Sequence, residues 1–206
     1  MSAKKVIERS IKRSLGPERS RQLADAVRRL LFRIRHPADY KLARRGYDVV
    51  FCCDPVRWQN VKLVAEELAR RHPELRLAVG FPGTPGSIPD VDAVPGMTAI
   101  AHAPLGALPA FKTRILYLPA PDLPRYLRPP GALTVHALMS MASMDGLYLD
   151  HHFDGFDYVL CGGPHHIEAL RKLELRRPSL AGLMLSPAGY PKLDLMLDAL
   201  GTTGAS

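Results

Sequence analysis

LTVHA (133–137), FDGFDYVLCGGPHH (153–166) and AGYPKLD (188–194) decide the fold. The first block is a short apolar run that ends on His136. The second carries an apolar run, Tyr158–Cys161, into a Gly-Gly-Pro turn, after which a helical pattern starts. The third is a strand end followed by a Gly-Tyr-Pro turn and another helix start. Apolar strands that each lead through a turn into a helix describe a parallel α/β sheet. The polar residues of all three blocks fall where strands end, which is where open α/β sheets bind their ligands.

Working outward, residues 47–53 (YDVVFCC) read as a buried strand of the parallel type. Asp54-Pro55 then supplies an N-cap and a first-turn proline. The helix runs to about residue 72, with Val61, Val64, Ala65 and Leu68 facing inward, and Pro73 stops it. Residues 75–81 form the next strand, giving a βαβ unit for which a right-handed parallel crossover is expected. Residues 82–96 are a Pro/Gly-rich loop. Further strands are expected at 97–101, 114–118, 133–137, 158–161 and 183–186, and helices at 138–149, 164–174 and 192–200. The small residues 201–206 have nothing to bury and are expected to be disordered. The fold class is therefore α/β: a Rossmann-like, mostly parallel sheet flanked by helices over residues 47–200, preceded by a basic helical extension at 1–46. No glycine fingerprint follows the first strand, which argues against a dinucleotide oxidoreductase.

Charge separates the two parts. The chain carries +8 overall, yet residues 1–46 hold 14 Lys/Arg against 4 Asp/Glu, and the other 160 hold 14 against 16. The excess positive charge belongs to the extension alone. Within it, Ile7, Ile11 and Leu15 form one helical stripe, Gly16-Pro17 breaks the pattern, and Leu23, Val27, Leu30 and Ile34 form a second stripe that Leu31 widens. Arg28, Arg29, Arg33 and Arg35 surround that stripe, and His36-Pro37 ends it. Two readings stand. The helices pack on the domain with arginines in solvent, or they lie on an anionic inner leaflet, where each basic residue contributes on the order of 1 kcal/mol. The segment has no interleaved aromatic residues, so no nucleic-acid partner is expected. Three cysteines give no disulfide framework and suit a reducing cytosol. No apolar run reaches the about 18 residues of a membrane span. The expected location is cytoplasmic, peripheral on the inner face of the plasma membrane.

The candidate site residues come from the strand ends. His136 titrates near neutrality and suits a general base. A histidine hydrogen-bonded inside the fold is the alternative. Asp54 and Arg57 stand at the mouth of the first strand beside Trp58, the single tryptophan. Trp58 is either an exposed sugar or glycerol platform or a side chain packed on the sheet. Gly162 and Gly163 precede a helix whose free amides could hold a phosphate, or simply make a tight turn. His165 would line the same cleft. Tyr190, Lys192 and Asp194 place a cation and an acid at a turn that starts a helix. His151, His152, His165 and His166, with Asp150, Asp154 and Asp157, match no zinc spacing, so neither a metal nor a cofactor is expected.

A histidine at a strand end, an FDxxL strand with a small-residue turn, and Gly-Tyr-Pro-basic-x-Asp, in that order, resemble the CDP-glycerol glycerophosphotransferase family. The resemblance covers about residues 47–198. It implies the first half of a two-domain glycosyltransferase-B architecture, the half that shapes the acceptor side. The family carries Trp-His-Gly-Thr where this chain has Val135-His136-Ala137-Leu138, and Arg where Lys192 stands. By resemblance, His136 would deprotonate an acceptor hydroxyl, and Lys192 and the Gly162-Gly163 turn would stabilise phosphate. The implied partners are a CDP-activated donor, whose binding half this chain does not contain, a polymer or lipid-linked acceptor, and a partner subunit or further domain. The alternatives are another nucleotide-sugar glycosyltransferase or epimerase-like half-domain, and a non-catalytic membrane-surface binding module.

Overall fold

The computed structural model describes residues 3–84, 86–88, 90–138, 144, 148–193, 196–197 and 200, with side chains from Gly16 onward, Asp150 excepted. Among the described residues the main helices are α1 (Ala3–Arg35), α2 (Pro37–Ala43), α3 (Pro55–Arg71) and α4 (Pro164–Arg176). Seven strands follow the sequence blocks: β1 (Tyr47–Cys52), β2 (Leu77–Gly80), β3 (Thr98–Ile100), β4 (Thr113–Leu118), β5 (Leu133–Ala137), β6 (Tyr158–Cys161) and β7 (Met184–Pro187). The helix expected at 138–149 lies largely outside the described residues, the described residues of 192–200 (192, 193, 196, 197 and 200) are helical, and the tail at 201–206 lies wholly outside.

All seven strands join one sheet in the order β3-β2-β1-β4-β5-β6-β7, and every pairing is parallel. The protein is thus an α/β Rossmann-like fold. The order reverses between β1 and β4, the switch point where such sheets leave a crevice beyond the strand ends.

Strand alternation divides the interior into two cores. Val49, Phe51, Leu77, Val79, Tyr117 and Ala137 face α3, where they meet Trp58, Val61 and Ala65. Val50, Cys52, Ala78, Leu116, Leu118 and Val159 face the other way, toward Phe32 of α1 and Leu170 and Leu173 of α4. Burying a large apolar side chain contributes about 1.5–3 kcal/mol. Trp58 and Phe51 are fully buried and anchor the α3 face. The possibility that Trp58 is an exposed platform is therefore overturned: helical periodicity turns it inward with Val61 and Ala65. Asp54 caps α3 as expected, accepting the Arg57 amide at 2.9 Å. Gly155 is required by close approach, since a β-carbon there would overlap the Leu123 carbonyl.

The break at Gly16 is present, with φ at 76°, and Pro17 begins the second run. Beyond it α1 docks through a narrow line. Asp25 and Phe32 are buried and Arg29 is half-buried. The Tyr126 hydroxyl donates to Asp25 at 2.9 Å, and Gly106 brings its backbone against that of Asp25. The apolar stripe takes no part in this contact. Leu23, Val27, Leu30 and Ile34 are 45–64% exposed. The reading in which the helices pack on the domain holds for this part of α1, but the contact is made through Asp25 and Phe32 and not through the stripe.

Candidate functional site

β5 places His136 opposite Leu118 of β4. The residue is fully buried, and its Nδ1 lies 3.0 Å from the Leu118 carbonyl oxygen. A carbonyl can only accept, so Nδ1 carries the proton and donates it. Burial pushes the imidazole down to about 4, against the opposing pull of that carbonyl. The ring is therefore neutral at pH 7, and its Nε2 holds a lone pair. Nε2 is buried and has no hydrogen-bond partner among the described residues. Phe156, Phe153 and Tyr148 surround the ring at centroid distances of 5.1, 5.9 and 6.0 Å. A desolvated imidazole with a fixed tautomer and a free lone pair on Nε2 can accept a proton from a hydroxyl brought against it.

Asp54 and Arg57 lie at the mouth of β1 and pair with each other through their side chains. The Arg57 charge reaches Tyr148: burial raises the Tyr148 hydroxyl, and Arg57 works against that rise. Tyr148 touches the His136 ring edge to face. Tyr148 thus feels the Arg57 charge on one side and meets the His136 ring on the other. His152 also contacts Tyr148, while its Nδ1 accepts the Leu149 amide at 3.1 Å.

Tyr190 and Lys192 lie elsewhere. They line a cavity of about 200 Å³ with Asn60 and Val64 of α3, Tyr117 of β4 and Leu160 of β6. Ala137 and Leu138 also line it, whereas His136 does not. Successive residues of β5 point to opposite faces, so Ala137 turns toward α3 and His136 toward the other core. Gly189, at φ 71°, makes the turn that brings Tyr190 and Lys192 over the strand ends. Asp194 lies outside the described residues.

The Gly162-Gly163 turn stands between these regions. The Gly162 amide donates to Nδ1 of the buried His166 at 3.2 Å, and Gly163 is the N-cap of α4. Pro164 contributes no amide. His165 is exposed, and its ring lies 4.0 Å from that of His166. A β-carbon at Gly163 would press on the His165 ring.

Two acids beside the histidines are committed to arginines, Asp154 to Arg177 and Asp157 to Arg128. Among the described residues, the His/Asp group whose side chains converge is another one: His36, Asp39 and His102. Sequence reading missed it because His102 lies 63 residues beyond Asp39. All three cysteines are free and buried, and burial raises Cys52 to about 12 and Cys161 to about 11, so neither is a thiolate at neutral pH.

No family model matches the chain, and no curated protein matches it. Among solved structures, a His-to-Ala variant of the wall teichoic acid polymerase TagF is similar, with a TM-score of 0.49 and 14% identity over 86% of this chain. A His-to-Asn variant of TagF soaked with CDPG gives a TM-score of 0.47 and 14% identity, also over 86% of this chain. The chain spans about half the length of these structures, 49% and 51%.

Proposed function

We propose that this chain is the acceptor-side domain of a CDP-glycerol glycerophosphotransferase-like transferase acting in cell-surface polymer synthesis. The reading rests on the family resemblance of the strand-end blocks. The single observation that carries it is His136, a neutral imidazole whose Nδ1–H is held by Leu118 and whose buried Nε2 has no partner among the described residues. In the proposed reaction, an acceptor hydroxyl approaches Nε2 and gives up its proton there. Its oxygen attacks the β-phosphorus of the CDP-activated donor. The new P–O bond joins acceptor and glycerol phosphate, and the bond to CMP breaks. Tyr148, Phe153 and Phe156 swing aside to admit the hydroxyl, since they enclose the ring at rest. Lys192, exposed at the rim of the α3-side cavity, offers charge to phosphate. A second domain or partner subunit supplies the nucleotide grip. The outward stripe of α1, flanked by arginines, holds the enzyme to an anionic inner leaflet beside its acceptor.

The test is transfer from CDP-glycerol to a membrane acceptor in the complete system, comparing the native chain with His136→Ala. Loss of about 10²-fold or more is expected for a general base. Undiminished transfer would remove His136 from the mechanism. The second reading, a non-catalytic membrane-surface module, is favoured by the α1 stripe alone. Vesicle binding without transfer in the complete system would select it.

A further inference from the structure

We propose that His36, Asp39 and His102 form a binding site for a divalent ion of the zinc class, placed where the N-terminal helices meet the β3 edge of the sheet. One ligand atom from each of the three side chains lies within 4.8 Å of the others. His36 is the N-cap of α2 and makes no side-chain cap, so its ring is not used by the helix. Asp39 lies in the first turn of α2, one turn on from His36. His102 stands two residues past the end of β3, in the left-handed region at φ 56°. That conformation is uncommon for a residue other than glycine, though histidine is among those that adopt it. It is held by the His102 amide donating to Gly83 at 2.8 Å and by the Ala103 amide donating to Phe81 at 2.8 Å. The result brings the His102 ring parallel to that of His36 at 3.9 Å. Nδ1 of His102 lies 3.0 Å from Oδ2 of Asp39.

Two imidazoles and a carboxylate are a donor set that borderline divalent ions favour, with further positions left for water. Zinc bonds to nitrogen and oxygen of about 2.0–2.2 Å place neighbouring ligand atoms about 3.3 Å apart, so His102 and Asp39 are already at ligand spacing and the widest pair closes by at most about 1.5 Å. All three side chains are half-buried, which lets an ion enter and still shields it. The site joins α2 to the loop after β3, so an ion there clamps the helical extension to the sheet. Its chemistry differs from that of the His136 region, and the inference does not depend on the transferase reading.

The test uses the full chain, free of any polyhistidine tag and stripped with a chelator. Zn²⁺ is titrated by calorimetry, and Co²⁺ by visible absorption. One Zn²⁺ per chain and a Co²⁺ ligand-field band are expected. His102→Asn tolerates the left-handed backbone and can still bond Asp39. His36→Phe keeps the ring stack. Each should abolish the stoichiometric site while the circular dichroism spectrum is retained, and His165→Ala should leave it intact. Zn²⁺ should raise the melting temperature of the native chain and not of His102→Asn. Equal binding by the native chain and both variants, or no binding above background by the native chain, would overturn the proposal.

Discussion

At the residue scale, His136 links burial to pH. Its imidazole falls from 6.5 in the open chain to about 4 in the fold, because burial penalises the charged ring. Between those values the unfolded chain binds more protons than the native one. Stability contributed by this residue is complete above pH 6.5 and drains away as pH falls toward 4. A shift of that size corresponds to about 3 kcal/mol. Urea unfolding followed from pH 7 to 4 should show this slope, and His136→Asn, which does not titrate, should flatten it. Identical pH slopes for both proteins would mean that the ring is charged or exposed in the fold. The sequence placed His136 at a strand end and left open whether it served catalysis or packing. It also grouped His136 with Lys192. Counting along β5 separates them, because Val135 and Ala137 face α3 and His136 the opposite core. What no count could supply was the Leu118 carbonyl that fixes the tautomer, since that contact crosses 18 residues.

At the scale of elements, the strands were legible to within about two residues, because each is an apolar run bounded by Gly, Pro or a cap. Strand burial on both faces writes itself into composition. Helix α1 was legible as a helix and not as to orientation. A hydrophobic stripe says that a face wants cover, and the structure covers a different line, through Asp25 and Phe32. The exposed stripe yields a prediction. Replacing Leu30 and Ile34, 53% and 64% exposed, with Glu should change unfolding free energy by no more than about 0.5 kcal/mol per site. The same double variant should lower affinity for phosphatidylglycerol vesicles about tenfold or more, as each lost apolar contact is worth on the order of 1 kcal/mol. Sedimentation with vesicles measures it. Unchanged binding by the double variant would exclude this face as the membrane contact. The His36–Asp39–His102 group was hidden for an element-level reason: its members come from the junction of α1 and α2 and from the loop after β3, which only the folded sheet brings together.

At the scale of the whole molecule, the sequence implied a parallel sheet but not its order, because periodicity records burial and not neighbours. Two cores on opposite faces share that sheet. The lone tryptophan, fully buried against the α3 face, reports on one of them. If the molecule unfolds as one unit, Trp58 fluorescence and far-ultraviolet circular dichroism should give the same urea midpoint. Separate midpoints would show the two faces melting independently. The strand order has a consequence for synthesis on the ribosome. β1 and β2 pair first, β3 joins the free side of β2, and β4, β5, β6 and β7 then join one after another on the far side of β1. No strand is ever inserted between two already in place. The nascent chain can therefore grow its sheet outward in the order of translation, and the strand made last is always one of the two edges. A chain stalled before β7 would offer its neighbours on the polysome an edge strand that the finished sheet holds between two others.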